Sequence, residues 1–205
     1  MNTEEQIKTW KARPFSWSQL SSWEYNHDVW YSKYILNKKE EDNKEMALGR
    51  ALATALEHGK CDIPELVKKL PYKKEHPFKV NFNGIVLIGF ADDFDDKSFK
   101  VLNEVKTGKK PWTADRVRKH GQIDMYLLIN YITNKVKPED VKCTLHWLPT
   151  SENGDFSLDF VRPIVVHSFP TKRTMRDILA FGARVNAARG EMEEFVRSKG
   201  SEVVV

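Results

Sequence analysis

Apolar residues recur at helical spacing in FSWSQLSSWEYNHDVWYSKYIL, where Leu20, Trp23, Trp30 and Tyr34 fall near one face. Ser16 or Ser18 is suited to cap that helix, and residues 1–15 read as a polar lead-in. KKEEDNKE (38–45) is a solvated charge run. MALGRALATALEHG (46–59) is rich in Ala and Leu and ends on a glycine, which predicts a second helix. CDIPELVKKLPYKKEHP (61–77) reads as a short helix followed by a loop. The period then changes. Residues 78–108 are β-rich, with turns at Asn83-Gly84 and around Asp95–Ser98, which predicts three strands. Helical spacing returns over 113–134 despite Gly121. VKCTLHWLPT and FSLDFVRPIVVHSF read as two more strands, joined by a polar turn at Ser151–Asp155. Residues 171–200 form a long amphipathic helix or helix pair, and the SEVVV tail either frays or docks.

The order α–α–βββ–α–ββ–α predicts an α/β or α+β domain with a mixed central sheet flanked by helices. It is expected to span 1–205 as one unit, with a helical lead-in over about 1–45 and a C-terminal helix over about 171–200. The sequence carries no internal repeat and no low-complexity linker. With 205 residues, 40% hydrophobic and 30% charged, the chain can bury a core without disulfides. Cys61 and Cys143 match no CxxC pattern, so a cysteine-held zinc or iron–sulfur site is not expected. No secretory signal and no apolar run of spanning length is evident, so the expected setting is the cytoplasm, away from membranes. A net charge of +4 allows a polyanionic partner without demanding one.

The chemistry concentrates in IGFADDFDDKSFKVLNEVKTG. Glu104 and Lys106 share one face of a strand, and buried charges on one face need a partner or a task. Asp92, Asp93, Asp95 and Asp96 precede the turn. Asp95 and Asp96 read as turn residues. Asp92 joins Glu104 on one face if the register is even-summed, as a three-residue loop at Asp96-Lys97-Ser98 gives; a two-residue loop selects Asp93 instead. Carboxylates so grouped either hold a hard cation such as Mg²⁺ beside Lys106 or line a solvated edge strand.

Two further groups bear on this. Gly49, Ala53 and Glu57 lie on one helix face, with Glu57 either a third carboxylate for the cation or a solvated glutamate. Gln122 and Tyr126 are one turn apart, suited to a phosphate or a base, although Tyr126 also fits a core. Lys109, Lys110, Arg116, Arg118, Lys119 and His120 gather positive charge nearby, as a polyanion patch or a solvated face.

The ordered set Gly-x3-Ala-x3-Glu (49–57), Gly-x-x-Asp (89–92), Glu-x-Lys-Thr-Gly (104–108) and Gln-x3-Tyr (122–126) resembles the PD-(D/E)XK nuclease superfamily, in its RecB-type branch. SWSQLSSWEYNHDVWYSKY resembles the opening helix of that branch, so the likeness covers roughly 16–130. It implies a restriction-endonuclease-like core and Mg²⁺-dependent DNA hydrolysis, with Mn²⁺ an alternative. An exonuclease of recombination, repair or phage DNA processing is implied first, acting in the host cytoplasm if phage-encoded. A structure-specific or restriction-type endonuclease and a non-cutting DNA- or protein-binding module are the alternatives. By position, Asp92, Glu104, the Val105 carbonyl and Glu57 would serve the metal, Lys106 would be the catalytic lysine, and Gln122 and Tyr126 would position DNA. DNA, a recombination or replication protein, and further copies of the chain are the partners implied. Two departures stand out. Ala53 occupies a position where many members place a metal-binding histidine, and Asn26 stands where some place a cluster cysteine, so no Fe–S cluster is expected.

Overall fold

The computed structural model describes residues 2–38, 44–57, 70, 75–152 and 158–202. Its first element lies where the sequence suggested only a lead-in. Helix α1 (Thr3–Lys11) is fixed by a reciprocal capping box between Asn2 and Glu5. Its Ile7 and Trp10 are buried. A short strand, β1 (Phe15–Ser16), runs into α2 (Trp17–Tyr25), with Ser16 as the cap, and α3 (His27–Tyr34) follows. The expected single helix is thus two. Asn26 takes an extended backbone, and its side chain accepts from the amides of Asp28 and Val29 at 2.9 and 3.0 Å, so it starts a new helix rather than continuing the old one.

Helix α4 (Lys44–Glu57) carries the Ala/Leu-rich segment. The short helix expected within 61–77 lies largely outside the described residues. Strands β2 (His76–Phe82) and β3 (Ile85–Ala91) form the hairpin expected at Asn83-Gly84, both of whose φ angles are positive, as a two-residue turn requires. β4 (Asp93–Phe94) and β5 (Val101–Gly108) follow. Their connection is longer than the expected three residues. It is closed by backbone bonds from Asp95 to Val101 and from Phe99 to Asp95. The predicted helix at 113–134 divides into α5 (Ala114–Arg118), capped by Thr113, and α6 (Gly121–Asn134), because His120 is extended.

Beyond α6 come β6 (Lys142–Glu152), β7 (Leu158–Phe160), β8 (His167–Thr171) and the unbroken α7 (Met175–Glu202). The single strand expected after the polar turn is therefore two, and Ser151 of that turn belongs to β6.

The sheets are mixed. β3 lies between β1, parallel to it, and β2, antiparallel. In the larger sheet β5 pairs parallel with β6, which pairs antiparallel with β7 and β8. Helix α6 buries Ile123, Met125, Leu127 and Leu128. Helix α7 adds Ile178, Phe181, Val185, Met192 and Val196 to the same core. Trp10 and Trp30 meet edge to face at 5.3 Å within it. A second apolar cluster, including Leu52, Leu56, Leu148 and Phe160, seats α4. The architecture is the mixed α+β arrangement that the pattern of periods suggested.

Candidate active site

Register decides which aspartate faces Glu104. β4 pairs with β5 so that Asp93 lies opposite Asn103, and one further step puts Asp92 opposite Glu104. The Val105 amide donates to Asp92 Oδ2 at 2.6 Å. Asp93 turns the other way: it is buried and accepts from Asn103 Nδ2 at 2.8 Å. Asn103 in turn reaches His146 Nε2 at 3.4 Å, and His146 Nδ1 lies 2.9 Å from Ser168 Oγ. The two adjacent aspartates therefore serve opposite faces of the sheet.

Glu104 is only 2% exposed. Lys106 Nζ donates to its Oε1 at 2.6 Å and to Gln122 Oε1 at 2.8 Å. Glu104 Oε2 is buried with no hydrogen-bond partner among the described residues. A carboxylate oxygen left bare in a dry place is costly unless a cation or a proton occupies it. Burial pushes the Glu104 carboxyl up to about 8, against the pull of Lys106. Asp92 is also raised, by burial first, while Lys106 and the Val105 amide draw it back. For Lys106 burial works against the charge, but Glu104 and Asp92 outweigh it and the amine is raised. The lysine keeps 27% of its side-chain exposure and can meet a ligand from solvent.

Helix α6 completes this arrangement. Gln122 Nε2 donates to the Tyr126 hydroxyl at 2.6 Å, and that hydroxyl donates to the Phe90 carbonyl. Tyr126 is 2% exposed and stacks on Phe78 at 5.3 Å. It is therefore not free to stack on a base. Of the two places expected for it, the ring takes the core one, and its hydroxyl touches the site through Gln122. The tyrosine ring has room because residue 89 is glycine: a Cβ there would lie 2.5 Å from Tyr126 Cε1. Gly49 does a similar service for α4, where a Cβ would stand 3.3 Å from Thr107 Oγ1. Glycines in two of the sequence blocks thus allow elements from the other blocks to approach closely.

Ala53 lines a small cavity of about 60 Å³ between α4 and β5, together with Gly49, Asp92, Val105 and Thr107. Glu57 lies at the exposed C-terminal end of α4, and its charge acts on Glu75. Glu75 escaped the sequence reading, which took its charged surroundings as a loop. Its carboxyl is raised by desolvation, then by repulsion from Asp92 and Glu57. The Asn83-Gly84 hairpin could have revealed it. Phe82 pairs with Ile85 and His76 with Ala91, so the next step places Glu75 opposite Asp92.

His120 was also undervalued. It sits edge-on to Trp17 and Trp112, and its Nε2 is buried without a partner among the described residues. Burial, then the Lys106 charge, push it down to about 3, so it is neutral beside the lysine.

The basic residues are less unified than their spacing suggested. Lys109 pairs with Glu152 at 2.6 Å and Lys119 with Asp115 at 2.8 Å. Arg116 lies 3.9 Å over the Trp112 ring and donates to the carbonyls of Lys110 and Pro111. Arg118 is exposed at the end of α5. Among the described residues, no helix is long and apolar enough to cross a membrane.

Compared with known proteins, the chain matches no family model and no curated sequence. Its fold does find relatives. A candidate exonuclease from Eubacterium rectale superposes with a TM-score of 0.55 at 12% identity, covering 96% of this chain and 84% of that one. A phage-related exonuclease from Haemophilus somnus 129PT gives 0.53 at 12% identity, covering 89% and 83%. Likeness at this identity speaks to the fold alone: the chain shares the mixed α+β architecture of these two structures.

Proposed function

We propose that the chain is a divalent-cation-dependent nuclease that hydrolyses DNA phosphodiester bonds, working as an exonuclease in recombination, repair or phage DNA processing. The observation that carries the reading is the bare, buried Oε2 of Glu104, on a carboxylate whose other oxygen is 2.6 Å from Lys106. Among the described residues, no group of three His, Cys, Asp or Glu side chains is gathered to hold a metal on its own. Mg²⁺ does not need one. It commonly takes one or two carboxylates, with waters and substrate phosphate oxygens filling its remaining positions. Asp92, Glu104 and the Val105 carbonyl fit that demand, with Glu75 and Glu57 adding negative charge at the rim.

A cation there supplies Lewis-acid polarisation of the phosphate and a water of lowered pKa. The rest falls to the chain. Lys106, held charged by Glu104 and Asp92, faces the charge that develops on the phosphate. Gln122 fixes the lysine, and Tyr126 fixes Gln122 against the Phe90 carbonyl. Neutral His120 keeps a competing positive charge away from Lys106. The names of the structural neighbours, a candidate exonuclease and a phage-related exonuclease, support the same reading.

Ala53 favours a second reading, a nuclease fold that binds DNA without cutting it, since no imidazole is among the described residues lining its cavity beside Asp92. Incubating the protein with linear and closed-circular DNA, in Mg²⁺, Mn²⁺ or chelator, separates the readings. Metal-dependent loss of linear DNA with intact circles is expected. Cut circles would indicate an endonuclease, and binding without cleavage in any metal would favour the module.

A further inference from the structure

A second polar cavity, of about 370 Å³, opens beside α5, the first turn of α6 and the start of α7. Arg118, Lys119, Lys172, Arg173 and Arg184 line it. Two carboxylates, Asp124 and Asp177, line it with them, while Lys119 and Arg184 are paired with Asp115 and Glu24. Both acids are already engaged. Asp124 pairs with Arg173. Asp177 accepts from the Thr174 amide and hydroxyl at 2.7 and 2.8 Å, closing the first turn of α7.

The floor of this cavity is built rather than merely solvated. Arg173 is 3% exposed. It donates to Thr171 Oγ1 at 2.6 Å, to the Val117 carbonyl at 3.0 Å and to Asp124. This rigid guanidinium ties β8, α5 and α6 together beneath the opening. At the rim, Arg118 and Lys172 are exposed and form no salt bridge among the described residues. The α7 helix begins here, so its positive dipole end adds to the field.

We infer that this cavity seats a phosphate of the substrate strand away from the bond being cut, with Arg118 and Lys172 as the groups that meet it. The inference rests on the nucleic-acid reading of the site above. Position supports it. Asp124 follows Gln122 by two residues, so the two side chains point to nearly opposite sides of α6. The cavity therefore lies about one helix diameter, ~10 Å, from the Lys106 cluster. At ~3.4 Å of duplex axis per strand charge, that is some three nucleotides along a strand. A strand anchored there has its scissile phosphate held at a fixed reach from Glu104.

The test is binding in chelator, where nothing is cut. Single-stranded DNA labelled at its 3′ end, with or without a 5′-phosphate, is titrated against wild type and Arg118→Ala/Lys172→Ala by fluorescence anisotropy at several salt concentrations. The double variant should lose about tenfold in affinity. Its slope of log K against log salt should fall by ~1.4, from ~0.7 per lost contact on single strands. Loss confined to the 5′-phosphorylated strand identifies a terminal phosphate, and equal loss on both identifies a backbone phosphate. Lys8→Ala/Lys79→Ala, on α1 and β2, controls for net charge and should lose far less. An equal loss in that control, a double variant with wild-type affinity and slope, or a wild type that does not bind DNA would each overturn the inference. Should the alanine pair melt early, Arg118→Gln/Lys172→Gln gives the same comparison. A wild type that binds but never cuts would end the nuclease reading while leaving this site standing. A cutting enzyme indifferent to the double variant would do the reverse.

Discussion

Lys106 is a charged amine held where a core side chain would ordinarily sit, and it stays charged because two carboxylates face it. Replacing it should therefore remove chemistry more than binding. Lys106→Ala is expected to slow single-turnover cleavage by about 10²–10³-fold, the usual loss when one donor to a developing oxyanion is removed. DNA affinity in chelator should stay near wild type; cleavage at a near-normal rate would refute the role given to the lysine. The pairing of Glu104 with Lys106 was legible from period 2 alone, as was the choice of Asp92 once an even register was assumed. Glu75 was not read, although the Asn-Gly hairpin contained the register that finds it. Tyr126 stayed open between a ligand contact and a core position because spacing gives a helix face but not what covers that face. Here Phe78 and Gly89 cover it.

Among the elements, β3 and α6 depend on one another at Gly89 and Tyr126. Gly89→Ala would place a methyl 2.5 Å from the ring, with stability expected to fall by about 1–3 kcal/mol, as in other overpacked sites. Denaturant unfolding measures this; an unchanged midpoint would mean that the ring has another seat. Tyr126→Phe keeps the ring and deletes the hydroxyl that links Gln122 to the Phe90 carbonyl. A part-buried carbonyl and amide then lose a partner, at about 1 kcal/mol. Cleavage should slow in parallel, since Gln122 no longer holds Lys106 in place. The hydrophobic period located most elements but ran through two breaks. Asn26 and His120 each take extended backbone within otherwise helical spacing, and single polar residues barely disturb an apolar stripe. Helix α1 was hidden for the opposite reason: its Asn2/Glu5 capping box is a local signal, but Ile7 and Trp10 are too few to make a periodic stripe.

Across the whole molecule, the acidic centre links stability to pH and to cation. The Glu104 carboxyl is raised to about 8 from 4.5, so the folded state holds its proton over a range where the unfolded chain has lost it. Its contribution is full below about 4.5 and is lost as pH rises through about 8. The cation-free protein should therefore lose thermal stability across that window, and Glu104→Gln should flatten the slope. Mg²⁺ competes with the proton, so it should raise Tm strongly near pH 8 and little near pH 5. A Tm indifferent to Mg²⁺ at both pH values would mean that the bare Oε2 is no cation site.

The central claim is that Asp92, Glu104 and Lys106 form one hydrolytic centre. The most direct measurement compares wild type with Glu104→Ala on linear DNA, with Mg²⁺ and with chelator, while DNA binding is followed in parallel. Metal-dependent loss of DNA by wild type, abolished in the variant with binding intact, is the predicted result. Cleavage that survives in Glu104→Ala would contradict it.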